Sequence, residues 1–149
     1  MIPTLVVLFG TFAVVLAIER WGGRDGATRR AGRIALAVLF AFTGVSHFIL
    51  TEGMAEMVPP PLPPVPTVLA TGVFEILGAA GLMVPRTQRT AAWCLFSFLV
   101  AVFPANVYAA LQHTGLGGHI EGPSYLLRRG PLQLLFLTWT WYFGIRGSR

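Results

Sequence analysis

The chain has 149 residues, 54% of them hydrophobic and only 11% charged, with a mean hydropathy of +0.67. A soluble domain carries about 25% charged residues, so this composition excludes an ordinary water-soluble enzyme and points to one integral membrane domain over residues 1–149. The net charge of +5 comes from arginine alone, since the sequence has no lysine; arginines dispersed among loops report membrane orientation and argue against a nucleic-acid partner.

Crossing about 30 Å of hydrocarbon takes roughly 20 helical residues, and five segments of the sequence qualify. Residues 2–18 form the first. Its arginines follow the apolar run instead of preceding it, which reads as a retained helix and not as a secretory signal. Residues 33–50 form the second. The loop after it, TEGMAEMVPPPLPPVP, predicts a short interfacial helix followed by an extended proline run, because proline lacks an amide donor and restricts its predecessor. Residues 67–84 form the third segment, with Glu75 at its centre. A charged carboxylate at that depth costs about 2.5–3.5 kcal/mol without a partner.

Residues 91–112 form the fourth segment and hold Cys94, which reads as a small buried apolar residue. One cysteine excludes an internal disulfide and dithiol chemistry within a single chain. A glycine-rich loop over 113–130 ends in Arg128-Arg129-Gly130-Pro131, and Pro131 suits the first turn of the last helix. Residues 131–145 form the fifth segment, whose Trp139, Trp141 and Tyr142 look like an interfacial aromatic belt. Each of the two outer loops is either a plain connection or a lid.

The predicted fold class is therefore all-α, a polytopic membrane helix bundle, since open backbone groups are not tolerated in lipid. Arg20, Arg24, Arg29, Arg30, Arg33, Arg86, Arg89, Arg146 and Arg149 share one side if the N-terminus lies outside. Only Arg128 and Arg129 then lie outside, so arginine bias places the N-terminus outside and the C-terminus in the cytoplasm. The expected location is the bacterial inner membrane.

Depth follows from the helical rise of about 1.5 Å per residue. His47 lies about 5 Å inside the outer boundary, Glu75 about 12 Å, Asn106 about 9 Å and Gln133 about 5 Å, with Arg128 and Arg129 at the mouth. Helical spacing puts Thr71, Gly72, Gly78 and Ala79 on the face of Glu75, and Thr43 and Gly44 on that of His47. Ala109, Ala110 and His113 continue the face of Asn106; Thr140 and Gly144 continue that of Gln133. Small residues on these faces favour close helix contact, so the polar groups are expected to converge. Glu75 and His47 are the candidate proton-handling pair. Asn106, Arg128, Gln133 and His113 are the candidate ligand-binding residues.

Each residue also has a structural reading. Asn106 repairs the helix beside Pro104, His47 snorkels, Gln133 caps its helix, the two arginines sit among headgroups, and Glu75 is a hydrogen-bonded carboxyl. His47, Glu75, His113 and His119 are too scattered for a metal motif. No nucleotide loop, GxSxG elbow or HExxH is present.

GVSHF, MVPPPLP, TGVFEILGAAGLMVP, FPANVYAAL and LRRGPLQLLFLTWTW follow one another in this order. In this the chain resembles the DoxX family of small membrane proteins over about residues 33–143. The resemblance implies a four-helix core, to which segment 2–18 would be an addition. Broader relatives of that family include the DoxD subunit of thiosulfate:quinone oxidoreductase and an assembly chaperone of animal acetylcholine receptors. The positions that carry the resemblance are His47, Pro59, Glu75, Pro104, Asn106, Arg128, Pro131 and Gln133. Two functions are expected. The first is a redox-linked membrane protein that binds a quinone-like or other amphipathic molecule, with no covalent cofactor, electrons coming from a partner or a bound cofactor. The second is a non-catalytic assembly factor or subunit, with a membrane protein partner or a second copy of itself.

Overall fold

The computed structural model describes residues 2–114 and 119–146, and among these every regular element is helical. In chain order they are α1 (Ile2–Trp21), α2 (Ala27–Ile49), the short α3 (Thr51–Ala55), α4 (Pro64–Met83), α5 (Gln88–Gln112), a 3-10 segment (His119–Tyr125) and α6 (Leu126–Trp139). A π-helical end, Thr140–Ile145, continues α6. Four helices, α1, α2, α4 and α5, are long and apolar enough to cross a membrane.

Local chemistry sets the boundaries. Gly23 and Gly26 adopt φ of 63° and 74° in the turn between α1 and α2, a left-handed conformation that glycine takes without a Cβ penalty. The proline run is not extended throughout. It turns at Pro59–Leu62, where the Leu62 amide bonds the Pro59 carbonyl at 3.2 Å. Extended Pro63 then leads into Pro64, the first residue of α4, where a missing amide hydrogen goes unnoticed.

Four helices begin earlier than hydropathy suggests: α2 at Ala27, α4 at Pro64, α5 at Gln88 and α6 at Leu126. In α2, α5 and α6 the added turns carry arginine or glutamine, which stay helical although they lower the local apolar average; in α4 they are Pro64–Pro66, where proline fits the first helical turn. Pro131 consequently lies inside α6 and not at its start. Residues 115–118 of the second predicted outer loop fall outside the described residues.

The helices pack as a chain of neighbours. α2 lies against both α1 and α4, α4 meets α5, and α5 meets α6 and the π-helical end. Between α2 and α4 the backbones come close at Gly44 and Gly72. A Cβ built on Gly72 would lie 2.7 Å from the His47 Cβ and 3.0 Å from the Gly44 carbonyl oxygen. Lipid is as apolar as leucine, so such packing and not water exclusion holds membrane helices together.

One end of the bundle is filled. Leu36, Leu39, Phe40, Leu82, Leu95, Leu99, Phe136 and Trp139 form a continuous buried core. Trp139 belongs to this core and not to an interfacial belt: it donates from Nε1 to the Gly32 carbonyl at 2.9 Å. Phe9 and Phe12 of α1 meet its ring edge-on at 5.4 and 5.2 Å. Trp141 and Tyr142 remain exposed. Cys94 is exposed on α5, contrary to the buried role expected, because that phase of the helix faces away from the core residues Leu95 and Leu99. At the end of α1, Glu19 is buried and pairs with Arg24 at 3.3 Å and Arg30 at 3.2 Å.

Candidate functional site

The opposite end of the bundle is hollow. A cavity of about 730 Å³ lies there, within the size range of small-molecule sites. Each wall is one helical stripe with three- and four-residue spacing. α2 gives Phe42, Thr43, Ser46 and His47, with Leu50 just past its end; α4 gives Thr67, Val68, Thr71 and Glu75. α5 gives Phe98, Ala101, Val102, Ala105 and Asn106; Tyr125, Arg129 and Leu132 complete the circuit. Met54, Met57, Val58, Pro59 and Leu62 line it from α3 and the proline segment, so that connection forms part of the wall. Methionines there supply a pliable apolar surface.

The polar groups form two facing sets. On the first, Glu75 is 7% exposed, and among the described residues its Oε2 has no hydrogen-bond partner. That oxygen lies 3.8 Å from His47 Nδ1, too far for a hydrogen bond. His47 Nδ1 is instead 2.9 Å from the Thr43 carbonyl oxygen. The Thr71 hydroxyl is turned back to its own helix, donating to the Val68 carbonyl at 2.8 Å.

On the second set, Arg129 Nε donates to Asn106 Oδ1 at 3.3 Å. The Arg129 charge also acts on Glu75 and on Tyr125. Burial pushes the Tyr125 phenol above its ordinary range while Arg129 opposes the shift, so the phenol is an uncharged hydroxyl at neutral pH.

Pro104 explains part of this arrangement. It lies inside α5, where it removes one helical hydrogen bond and crowds the preceding turn. Two side-chain amides serve carbonyls in that turn. Asn106 Nδ2 donates to the Val102 carbonyl at 3.0 Å, and Gln133 Nε2 crosses from α6 to the Leu99 carbonyl at 2.5 Å. Asn106 thus ties back to its own helix with one end of its amide and holds Arg129 with the other.

The structure therefore brings together Glu75, His47 and Asn106, and leaves Arg128, Gln133 and His113 off the cavity wall. Arg128 is exposed and ion-paired with Glu121. Gln133 is buried as a strut between α6 and α5, and its Oε1 has no partner among the described residues. His113 caps the end of α5 with a left-handed φ of 55°, its ring packed over Gly122.

Tyr125, Thr43 and Thr71 are wall residues that sequence reasoning did not select as ligand groups, and of the two arginines expected at the mouth it is Arg129 and not Arg128 that lines the wall. The signal for Arg129 is the buried stripe Tyr125, Leu132, Gln133, Phe136 and Thr140. Arg129 falls on it, while Arg128 is one residue out of phase. Among the described residues no three His, Cys, Asp or Glu side chains gather as metal ligands. A second hollow of about 580 Å³ at the α1–α2 turn is walled partly by Arg20, Arg24 and Arg29, but Arg24 is already paired with Glu19.

The model of one family, described as a domain of unknown function (DUF8561), matches residues 36–144. The chain belongs to that family. The matched region starts within α2 and holds every cavity residue except Pro3 and Thr4 of α1. No curated protein and no solved structure matches the chain.

Proposed function

We propose that this chain is a five-span membrane protein whose outward-facing cavity binds an amphipathic small molecule with an oxygen-bearing polar head, a quinone-like molecule among the candidates. The observation that carries this reading is the cavity itself: apolar side chains over most of the wall, with His47, Glu75, Asn106 and Arg129 among them. Functional small-molecule sites combine an apolar lining with a few convergent polar groups in this way. An ionisable group within a membrane helix is a functional candidate for the same reason. The residues suit an oxygenated ring: Arg129 supplies donors, His47 and Glu75 supply proton-exchanging groups, and Phe42 and Phe98 supply apolar faces. Electrons for any redox step would come from a partner. The order of the five motifs supports a DoxX-like relationship, and the bacterial inner membrane is the proposed location.

The orientation rests on arginine bias, which places the cavity mouth outside and the α1–α2 turn in the cytoplasm. A reporter active only outside the cytoplasmic membrane, fused after residue 149, is expected to be silent. An active fusion overturns the orientation.

The ligand reading is tested by extracting purified protein with organic solvent and identifying what is released. Wild type is expected to yield a bound molecule near one per chain. Glu75→Gln keeps the side-chain shape and is expected to keep helix content while losing most of that molecule. An empty wild type sinks the reading. The assembly-factor alternative is favoured by the close contact of Gly44 with Gly72 and predicts a different outcome: Glu75→Gln melts early and a protein partner co-purifies.

A further inference from the structure

His47 presents two ring nitrogens with different duties, and they identify the head group of the proposed ligand. The Nδ1 atom is 2.9 Å from the Thr43 carbonyl oxygen. A carbonyl only accepts hydrogen bonds, so Nδ1 carries the proton. The nearest carboxyl oxygen, Glu75 Oε2, is 3.8 Å from that same nitrogen, outside hydrogen-bond range. No hydrogen-bonded carboxylate therefore holds a second proton on the ring, and an unassisted imidazole is mostly neutral at pH 7 and above. In the neutral Nδ1–H tautomer, Nε2 is a lone-pair acceptor. Among the described residues, the one hydrogen bond of this ring is that at Nδ1. His47 is also a wall residue of the cavity.

Resting on the ligand-pocket reading above, we infer that the cavity selects amphipathic molecules whose head carries a hydroxyl group, phenolic or alcoholic, donating to His47 Nε2. A head with acceptors alone leaves Nε2 without a donor. Across the cavity, the Arg129 guanidinium donates and does not accept, so it serves the ligand's oxygen lone pairs and cannot replace the hydroxyl hydrogen. The apolar stretch from Phe42 to Met57 and Leu62 takes the tail. The ligand thus carries a donor and an acceptor at one end and a hydrocarbon body at the other.

The test uses para-nonylphenol and its methyl ether, para-nonylanisole, which share ring and tail and differ by the hydroxyl hydrogen. Binding of each to detergent-purified protein is titrated by native mass spectrometry, for wild type and for His47→Phe. Comparing the ratio of the two affinities between the proteins cancels their different partition into detergent. The wild-type ratio is expected to favour the phenol by about tenfold over that of His47→Phe, the worth of one hydrogen bond to a buried acceptor. His47→Gln, whose amide oxygen accepts, is expected to restore part of the preference. Equal ratios in wild type and His47→Phe overturn the hydroxyl assignment and leave the pocket standing. Failure of wild type to bind either probe overturns the pocket reading as well. Nitrogen NMR of histidine-labelled wild type, assigned against His47→Gln, reads the tautomer without a folding-sensitive comparison. A proton on Nε2 of His47 overturns the inference.

Discussion

Gly72→Leu is expected to lower the melting temperature of the detergent-solubilised protein by roughly 6–12 °C, an overpacking cost near 3 kcal/mol. A Cβ at this position would sit 2.7 Å from the His47 Cβ and 3.0 Å from the Gly44 carbonyl oxygen. Neither atom is the free end of a flexible side chain, so relief requires α2 and α4 to move apart. That movement also shifts His47 relative to Glu75. Gly10→Leu is the control, because nothing lies within 4 Å of a Cβ built there. It is expected to melt like wild type or slightly higher, since leucine is the better helix former. Intrinsic tryptophan fluorescence reports both transitions: Trp139 is buried against α1 and α2, and Trp93 packs on Trp141 at 5.6 Å. If Gly72→Leu and Gly10→Leu melt together, the α2–α4 contact is not the one described.

The second large effect separates two adjacent arginines. Arg129→Ala is expected to weaken ligand binding by roughly 10–100-fold, the loss of one hydrogen bond from a charged group at about 1.5–3 kcal/mol. Arg128→Ala is expected to change it by less than about twofold, because an exposed ion pair contributes little. The structural difference is plain: Arg129 bonds Asn106 at the cavity wall, whereas Arg128 turns out to Glu121. Arg129→Lys is expected to fall between the two, keeping the charge and losing the planar fork of donors. Titration of the same ligand against the three variants checks the order. An Arg128→Ala loss as large as that of Arg129→Ala contradicts the assignment of the wall.

The buried polar level was largely legible from the chain. A carboxyl group, an imidazole and an amide placed within apolar helices carry an energetic cost, and that cost marks Glu75, His47 and Asn106 without any structure. Gly72 was legible as a small residue on the Glu75 face, although its contact with Gly44 was not. What stayed hidden depended on helix phase beyond the apolar runs. Starting the last helix at Pro131 leaves both arginines in a loop of undefined phase; starting it at Leu126 puts Arg129 inward. Gln133 looked like a cavity residue because its face is buried, but burial does not reveal that its amide reaches the Leu99 carbonyl on another helix. Trp139 looked interfacial because tryptophans cluster at both membrane boundaries and in aromatic cores. Glu19 is not legible as a buried group, because it sits at the end of an apolar segment, where an acidic side chain is ordinarily solvated, and only the structure shows its burial.

The hollow end of the bundle has a simple origin. α2 and α4 are drawn together by glycine on both sides, while α5, which carries Pro104 within it, is held to α6 by the Gln133 strut. Leucine and phenylalanine fill the space between these helices at one end, and the cavity occupies the space between them at the other.

An experimental density map of the wild-type protein purified in mild detergent decides whether the hollow end of the bundle is a binding site. An elongated feature is expected, with its polar end between His47, Asn106 and Arg129 and its tail along Phe42 and Met57. The feature is expected to disappear in Arg129→Ala while the helices stay in place. A wild-type map in which α2 and α5 close on each other, with side chains filling the space, would contradict it.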